Sequence, residues 1–461
     1  MYRYSNGQIS LADFKQPVGM NLKERNRWVK KAQTIPWLEI EKRYAALFTN
    51  RKGNVAKPLR LALGACIIRA EYGFSDEETA LMIQENPYLQ YFCGYPGYDD
   101  EKLPFDPSLM VYFRKRLTPE VLGEINEMIV RDAKERQVKE AESKDDDDDS
   151  DGQPGTGGNS GTMILDATCA PSNIRYPQDV SLLNEARENA ETLLDVLHDP
   201  ADGKKPRTYR KAIGKQPAYL RRDLNAIDGK LSLGKNLPPR QAERLDTIRT
   251  VYEQQKYMYD NRTHSVPDRI VSVSQPFVRP IVRGKAGKPV EFGAKLDISV
   301  VDGWTRLECC SFDAYNEAGN LREMAERFRA REGHYPSRIL ADKIYRNREN
   351  LSYCREHGIR LSGPALGRPK KGETRDKAHY RDECERVEVE RRFSLAKRKC
   401  GMGLVTAKLR ETAAHVIAMS VLVLNLRKIQ HALLRMLAYL LEILAQNKNW
   451  ALVQWTLYYM K

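Results

Sequence analysis

Five consecutive aspartates, Asp145 to Asp149, sit at the head of the stretch KDDDDDSDGQPGTGGNSG and constrain this chain more than any other feature. Adjacent carboxylates repel one another, and the Gly, Ser and Pro that follow offer nothing to bury, so Lys144 to Gly161 reads as a flexible linker. A hydrophobic core cannot be continuous through it in sequence. At 461 residues and 52.9 kDa the chain is too long for one ordinary domain, so two or three folded units are expected.

The charge balance selects the class of partner. Lys and Arg number 76 against 62 Asp and Glu, a net charge of +14, which favours nucleic acid or an anionic membrane surface over a small metabolite. A spanning helix needs about 20 consecutive apolar residues. The most apolar stretches, Val416 to Leu426 and Ala432 to Ala445, are too short or are broken by Ser420, Arg435 and Glu442, so helices buried in protein are expected and no membrane partner. The N-terminal residues lack a basic segment followed by a long apolar one, which predicts no signal peptide and a cytoplasmic protein. Eight cysteines without a CxxC pair read as reduced, structural thiols.

Before the linker, apolar residues recur at three- and four-residue spacing through LRLALGACIIRAEYG, the period of a helix. Ser75 and Glu78 form a capping box that starts another helix, and Asp106 with Pro107 starts one through SLMVYFRKRL. That last helix carries Arg114, Lys115 and Arg116 beside Tyr112 and Phe113. It suits a DNA-binding helical module, and equally the solvated charged end of a core helix. After the linker, the strand TMILDAT is expected to end at Asp166, and strands resume near residue 269. Asp302-Gly303 predicts a hairpin joining strands at 291–301 and 306–312. A helix (321–331), a strand ending in Asp342, a helix (348–357), the strand IRLSG and a helix from about Asp382 to Cys400 follow, which is a mixed α/β sheet. Residues 182–268 read as a helical insertion. Between Gly203 and Arg240 it holds eleven basic and two acidic residues, which suits a phosphate backbone or a solvated basic face.

Among 62 acidic residues only context can pick out a site. Asp166 and Asp342 close apolar strands, where a carboxylate needs a partner or a metal. Glu390 belongs to the helix ECERVEVERRFSLAKRK, in which Arg386 lies about 40° and Lys397 about 20° from it around the axis, so the three share one face. Carboxylates from two strands and a helix suit two hard divalent ions, which can stabilise the attacking and leaving oxygens of a phosphoryl displacement. The histidines show no ligand spacing, and His415, in an apolar helix, reads as a core residue.

These segments resemble the DDE transposases of bacterial insertion sequences, whose catalytic core is RNase-H-like and shared with retroviral integrases. The resemblance rests on TMILDAT with Asp166, RILADKIYRNREN with Asp342 and Tyr345, and RVEVERRFSLAKRKCGMG with Arg386, Glu390 and Lys397. The last is similar to the tyrosine-arginine-glutamate-lysine signature of one transposase group, except that Glu383 stands where the tyrosine would. LGACIIRAEYGFSDEETALMIQENPYLQYFCG is likewise similar to the N-terminal segment of such transposases, and Asn425-Leu426 in the closing helix also fits. The resemblance implies a helical N-terminal DNA-binding domain (1–120), a helix end and linker (121–161), an RNase-H-like catalytic domain (162–402) interrupted by the helical insertion 182–268, and a helical C-terminal segment (403–461).

It further implies that Asp166, Asp342 and Glu390 are catalytic metal ligands for two Mg²⁺ or Mn²⁺ ions. Arg386, Lys397, Tyr345 and Asn347 become DNA contacts, while by their residues alone Arg368, Lys370 and Lys371, in a Pro- and Gly-rich loop, suit a minor groove or equally a simple solvated loop, and the basic helix at 114–116 is the other candidate contact. The expected partners are terminal-repeat and target DNA and further copies of the chain, as a homodimer or larger synaptic complex, with the protein at the bacterial nucleoid. A regulator with a dead core, or a nuclease that cuts without joining, would share much of this sequence.

Overall fold

A computed structural model describes residues 1–446 apart from 5–8, 17–19, 50–53, 143–157, 200–214, 286–287 and 364–376, and the side chains of 140–142, 283–289 and 433–446. The aspartate run and the expected contacts Arg368, Lys370 and Lys371 lie outside the described residues. Ahead of the linker come α1 (Arg27–Thr34), α2 (Trp37–Ala45), α3 (Leu59–Tyr72), α4 (Asp76–Glu85), α5 (Pro87–Phe92), α6 (Leu109–Arg116) and α7 (Pro119–Glu142). The capping box forms as expected: Ser75 Oγ accepts from the Glu78 amide at 3.1 Å and Glu78 Oε2 from the Ser75 amide at 2.7 Å. α6 begins later than its sequence predicts, because Asp106 Oδ1 accepts from the Ser108 amide at 2.9 Å and holds a turn ahead of Leu109.

After the linker the order is β1 (Thr162–Pro171), α8 (Asp179–Leu197), α9 (Gln216–Ser232), α10 (Pro239–Asp260), β2 (Arg279–Lys285), β3 (Lys288–Val301), β4 (Trp304–Ser311), α11 (Leu321–Glu332), β5 (Arg338–Leu340), α12 (Arg348–Glu356), β6 (Arg360–Leu361), α13 (Lys377–Lys399) and α14 (Arg410–Gln446). The mixed sheet runs β2-β3-β1-β5-β6, with β4 on the same side of β3 as β2 but further along it. β1 pairs antiparallel with β3 and parallel with β5, and β5 parallel with β6. The β3–β4 hairpin turns at Asp302 and Gly303, both at positive φ (52° and 71°), as the Asp-Gly pair demands.

Two strand expectations need correction. β1 does not end at Asp166 but runs on to Pro171, since Ala167, Thr168, Cys169 and Ala170 are all buried and keep pairing with β3. Residues 269–278, expected as strand, are irregular up to β2. Gln275 and Pro276 turn the chain there, with the Val278 amide donating to the Gln275 carbonyl.

One face of the sheet, with Ile164, Leu296, Ile298, Val300 and Leu340, shares a continuous core with α13, α14 and the N-terminal helices. The opposite face packs Met163, Leu165 and Ile339 against α11 and α12, while α8 to α10 enclose a core of their own. Arg410 to Ala432 of α14 is long and apolar enough to cross a membrane, but most of it is buried inside the fold. Asn425 shows why it stays there: its amide bonds Thr305 of β4 and Asn126 of α7 at 2.8 to 2.9 Å, a fully satisfied buried group. His415 is likewise buried, with Nδ1 donating to the Leu117 carbonyl, and burial lowers its pKa to about 4.

Candidate active site

β1 alternates sides with period two. Ile164, Asp166, Thr168 and Ala170 form the stripe that shares a face with Ile298 and Val300 of β3, so Asp166 is the one carboxylate in an otherwise uncharged row under α13. Its Oδ1 accepts from the Ala167 amide at 2.8 Å. Asp342 follows β5 in parallel register with β1 and makes the same bond to its own successor, Oδ1 accepting from the Lys343 amide at 2.6 Å. There it caps the 3-10 turn Lys343–Tyr345 instead of closing the strand.

The third group arrives on α13. Val389, Phe393 and Ala396 are buried and seat the helix on the sheet at about 2 kcal/mol for each larger side chain. That seating turns Arg386 and Glu390 towards β1. Arg386 lies 3.5 Å from Asp166 Oδ2 through Nη1 and 3.5 Å from Glu390 Oε1 through Nη2. Burial raises the pKa of Asp166, and the charges of Asp342 and Glu390 push it the same way, against the Ala167 amide and Arg386. Asp342 and Glu390 thus both lie within electrostatic reach of Asp166, and the Arg386 guanidinium stands between Asp166 and Glu390. Among the described residues, however, no three of His, Cys, Asp and Glu stand close enough together to grip an ion. Lys397 is half-buried further along α13, which ends where Gly401 takes φ +84° and Gly403 approaches the Lys397 carbonyl so closely that a Cβ would sit 2.5 Å from it.

Other expected contacts have structural duties. Tyr345 is 1% exposed, packs in the core beneath the turn and has its hydroxyl pKa raised by burial and by Asp297 and Asp166, so it is a support and not a DNA-facing group. Asn347 caps α12, its Oδ1 accepting from the Asn350 amide at 2.7 Å. Arg114 is 9% exposed and binds Asp76 through both terminal nitrogens at 2.8 and 2.6 Å, with Arg69 on the same carboxylate, which withdraws it from any surface role. Arg116 is half-buried over the Phe48 ring, while Lys115 faces solvent next to exposed Tyr112.

Two buried carboxylates lie near the candidate site without being among its expected ligands. Asp297, fully buried opposite Ala167 on β3, accepts from Asn320 Nδ2 at 2.6 Å, and burial raises its pKa to about 6. Asp382, also buried, joins Arg338, Arg360 and Glu385 in a network below the site. The only signal for Asp382 in the sequence is its position one helical turn before Arg386.

Comparison with known proteins agrees with the resemblance read from the sequence. Residues 339–427 match the family described as "Transposase DDE domain", and residues 18–116 match a second, described as "Transposase domain (DUF772)". The first match spans Asp342, Arg386, Glu390 and Lys397, and the second spans α1 to α6. An uncharacterized protein of Rhizobium meliloti, ORF8 in the nfe locus, is 28% identical over 184 residues, covering 40% of this chain and 79% of that protein. No solved structure matches the chain.

Proposed function

We propose that this chain, with two segments of transposase type, is the DNA transposase of an insertion sequence, with an RNase-H-like core that cuts at the transposon ends and joins them to target DNA. The observation that carries the reading is the arrangement around Asp166 of β1: Asp342, just beyond the neighbouring parallel strand, and Glu390 of α13 both lie within electrostatic reach of it, and Arg386 stands between Asp166 and Glu390. A half-buried carboxylate whose ionised form is disfavoured first by desolvation and then by two like charges is a site short of positive charge. All-oxygen donors of this kind fit hard divalent cations by their chemistry, so Asp166, Asp342 and Glu390, once drawn closer together, would be the residues to hold two Mg²⁺ or Mn²⁺ ions. When bound, such ions supply nucleophile activation and stabilise the attacking and leaving oxygens of an in-line displacement.

The protein's own groups do the rest. Arg386 is drawn off the carboxylates by the flanking phosphates, which it can bind with both arms, and Lys397 adds a second cation on the same helix. In the first step water attacks a phosphodiester at the transposon end and the P–O3′ bond breaks, freeing a 3′ hydroxyl. In the second that hydroxyl attacks a target phosphodiester in line. Lys115 and Tyr112, exposed on α6, are assigned to the duplex away from the scissile bond. Holding two ends together calls for a dimer or larger synaptic complex.

Incubation of the purified protein with Mg²⁺ or Mn²⁺, labelled terminal-repeat DNA and a target plasmid tests this. Cleavage and joining are expected. End binding without either reaction would make the chain a DNA-binding regulator, and cleavage without joining a nuclease.

A further inference from the structure

Arg338 is the hub of a network that touches every element carrying a candidate catalytic carboxylate. Its Nε donates to Thr162 Oγ1 on β1 at 2.6 Å. Its Nη1 reaches Asp382 Oδ1 at 3.3 Å and Glu385 Oε1 at 3.2 Å, and its Nη2 reaches Glu385 Oε2 at 2.6 Å, all on α13. Arg360 of β6 closes the ring, binding both oxygens of Asp382 at 2.6 and 2.7 Å. Asp382 is 4% exposed, so these charge-assisted bonds are shielded from water on the carboxylate side.

The spacing gives the network its meaning. Thr162 stands four residues before Asp166, Arg338 four before Asp342, and Asp382 eight before Glu390. Four residues of β1 rise about 13 Å and eight of α13 about 12 Å. β1 and α13 therefore climb the same height from the network to Asp166 and Glu390, and the parallel pairing of Thr162 with Arg338 sets β5, with Asp342 two residues beyond its end, level with β1. A one-turn slip of α13 would move Glu390 by about 5 Å and take it away from both aspartates. The apolar contacts of Val389, Phe393 and Ala396 do not forbid such a slip on their own, because hydrophobic packing is non-directional.

We infer that Arg338, with Thr162, Asp382, Glu385 and Arg360, is a positioning device that fixes the axial register of α13 against β1 and β5 and so sets the spacing of the carboxylate site. This rests on the proposed metal-binding role of Asp166, Asp342 and Glu390. None of the five residues touches the reacting atoms. Their influence is on how well three separate elements present their ligands, which is an affinity for the ion and not for DNA.

The test is Mn²⁺ binding to the full-length protein, read from the electron paramagnetic resonance signal of free Mn²⁺, together with end-DNA affinity and Tm. Arg338→Gln leaves Asp382 paired with Arg360, and Glu385→Gln alters an exposed side chain, so both variants should fold. Each is expected to weaken Mn²⁺ binding, Arg338→Gln by about tenfold as for residues that orient metal ligands, with end-DNA affinity unchanged. Arg338→Lys, which keeps a cation among Thr162, Asp382 and Glu385, should recover part of the loss. Mn²⁺ affinity within twofold of wild type in both glutamine variants would overturn the positioning role. Asp166→Ala is the control: if it too binds Mn²⁺ like wild type, the metal reading of the site fails, and the inference with it.

Discussion

The N-terminal helices and the carboxylate site use the same charged residue types to opposite ends. Between α1 and α3 the buried Lys31 and Glu71 pair directly, with Arg427 of α14 3.5 Å from the same carboxylate, and Asp76 of α4 is gripped by Arg69 and Arg114. Every such charge is answered by its opposite, and Asp76 is held below the usual carboxylate range by Arg114 and Arg69 despite its burial. Around β1, the charges of Asp342 and Glu390 both reach Asp166, one arginine stands between Asp166 and Glu390, and burial and the two like charges push Asp166 up. Matched charge holds a fold together, whereas unmatched like charge is kept only where something else is to be bound.

The sharpest way to break this contrast is at Asp166. Asp166→Asn should abolish cleavage and joining while leaving Tm unchanged or higher, because the ionised form is already disfavoured where it stands. A fall in Tm with activity retained would turn the site into a structural one. Glu71→Gln should do the reverse, leaving Lys31 buried without its counter-ion at a cost of about 3–5 kcal/mol in denaturant unfolding, with any activity of the folded fraction kept.

A third test uses pH at the join between α14 and the N-terminal helices. His415 has a folded pKa of about 4, below its unfolded value, so its neutral burial stabilises fully above about pH 6.5 and the contribution fades as pH falls towards 4, by about 3 kcal/mol. His415→Gln should therefore flatten the loss of stability between pH 7 and 4. The smallest effect separates neighbours on α6. Lys115→Ala should weaken end-DNA binding a few-fold and lower its salt slope by about 1, whereas Arg114→Ala should lower Tm, since Asp76 then keeps only Arg69. If Arg114→Ala changed the salt slope and not Tm, the assignment of matched charge to structure would be wrong at that position.

The arrangement of the candidate site was legible from the sequence where its signals are local. Helical periodicity put Arg386 and Glu390 on one face, and they lie together in the structure. Asp302-Gly303 announced its hairpin because that backbone demands positive φ within two residues. Asp166 was found for an imperfect reason: a carboxylate in an apolar run looks like a strand end, but pairing with β3 carries β1 five residues further. Tyr345 and Asn347 were recognised through their neighbour Asp342, yet burial and capping give them to the fold.

By itself the sequence determined the helix that carries Arg386 and Glu390, the capping box and the hairpin, since each depends on residues a few positions apart. Only the tertiary structure decided which cations are spent internally. Arg114 and Lys115 are adjacent in the chain, and what separates them is Asp76, 38 residues before Arg114 and brought to it by packing. It also decided that Arg338, Thr162 and Asp382, distributed over 220 residues, meet in one network. Ion pairing and burial act through space over a few ångströms, and a chain holds no local record of which distant residue will fill that space.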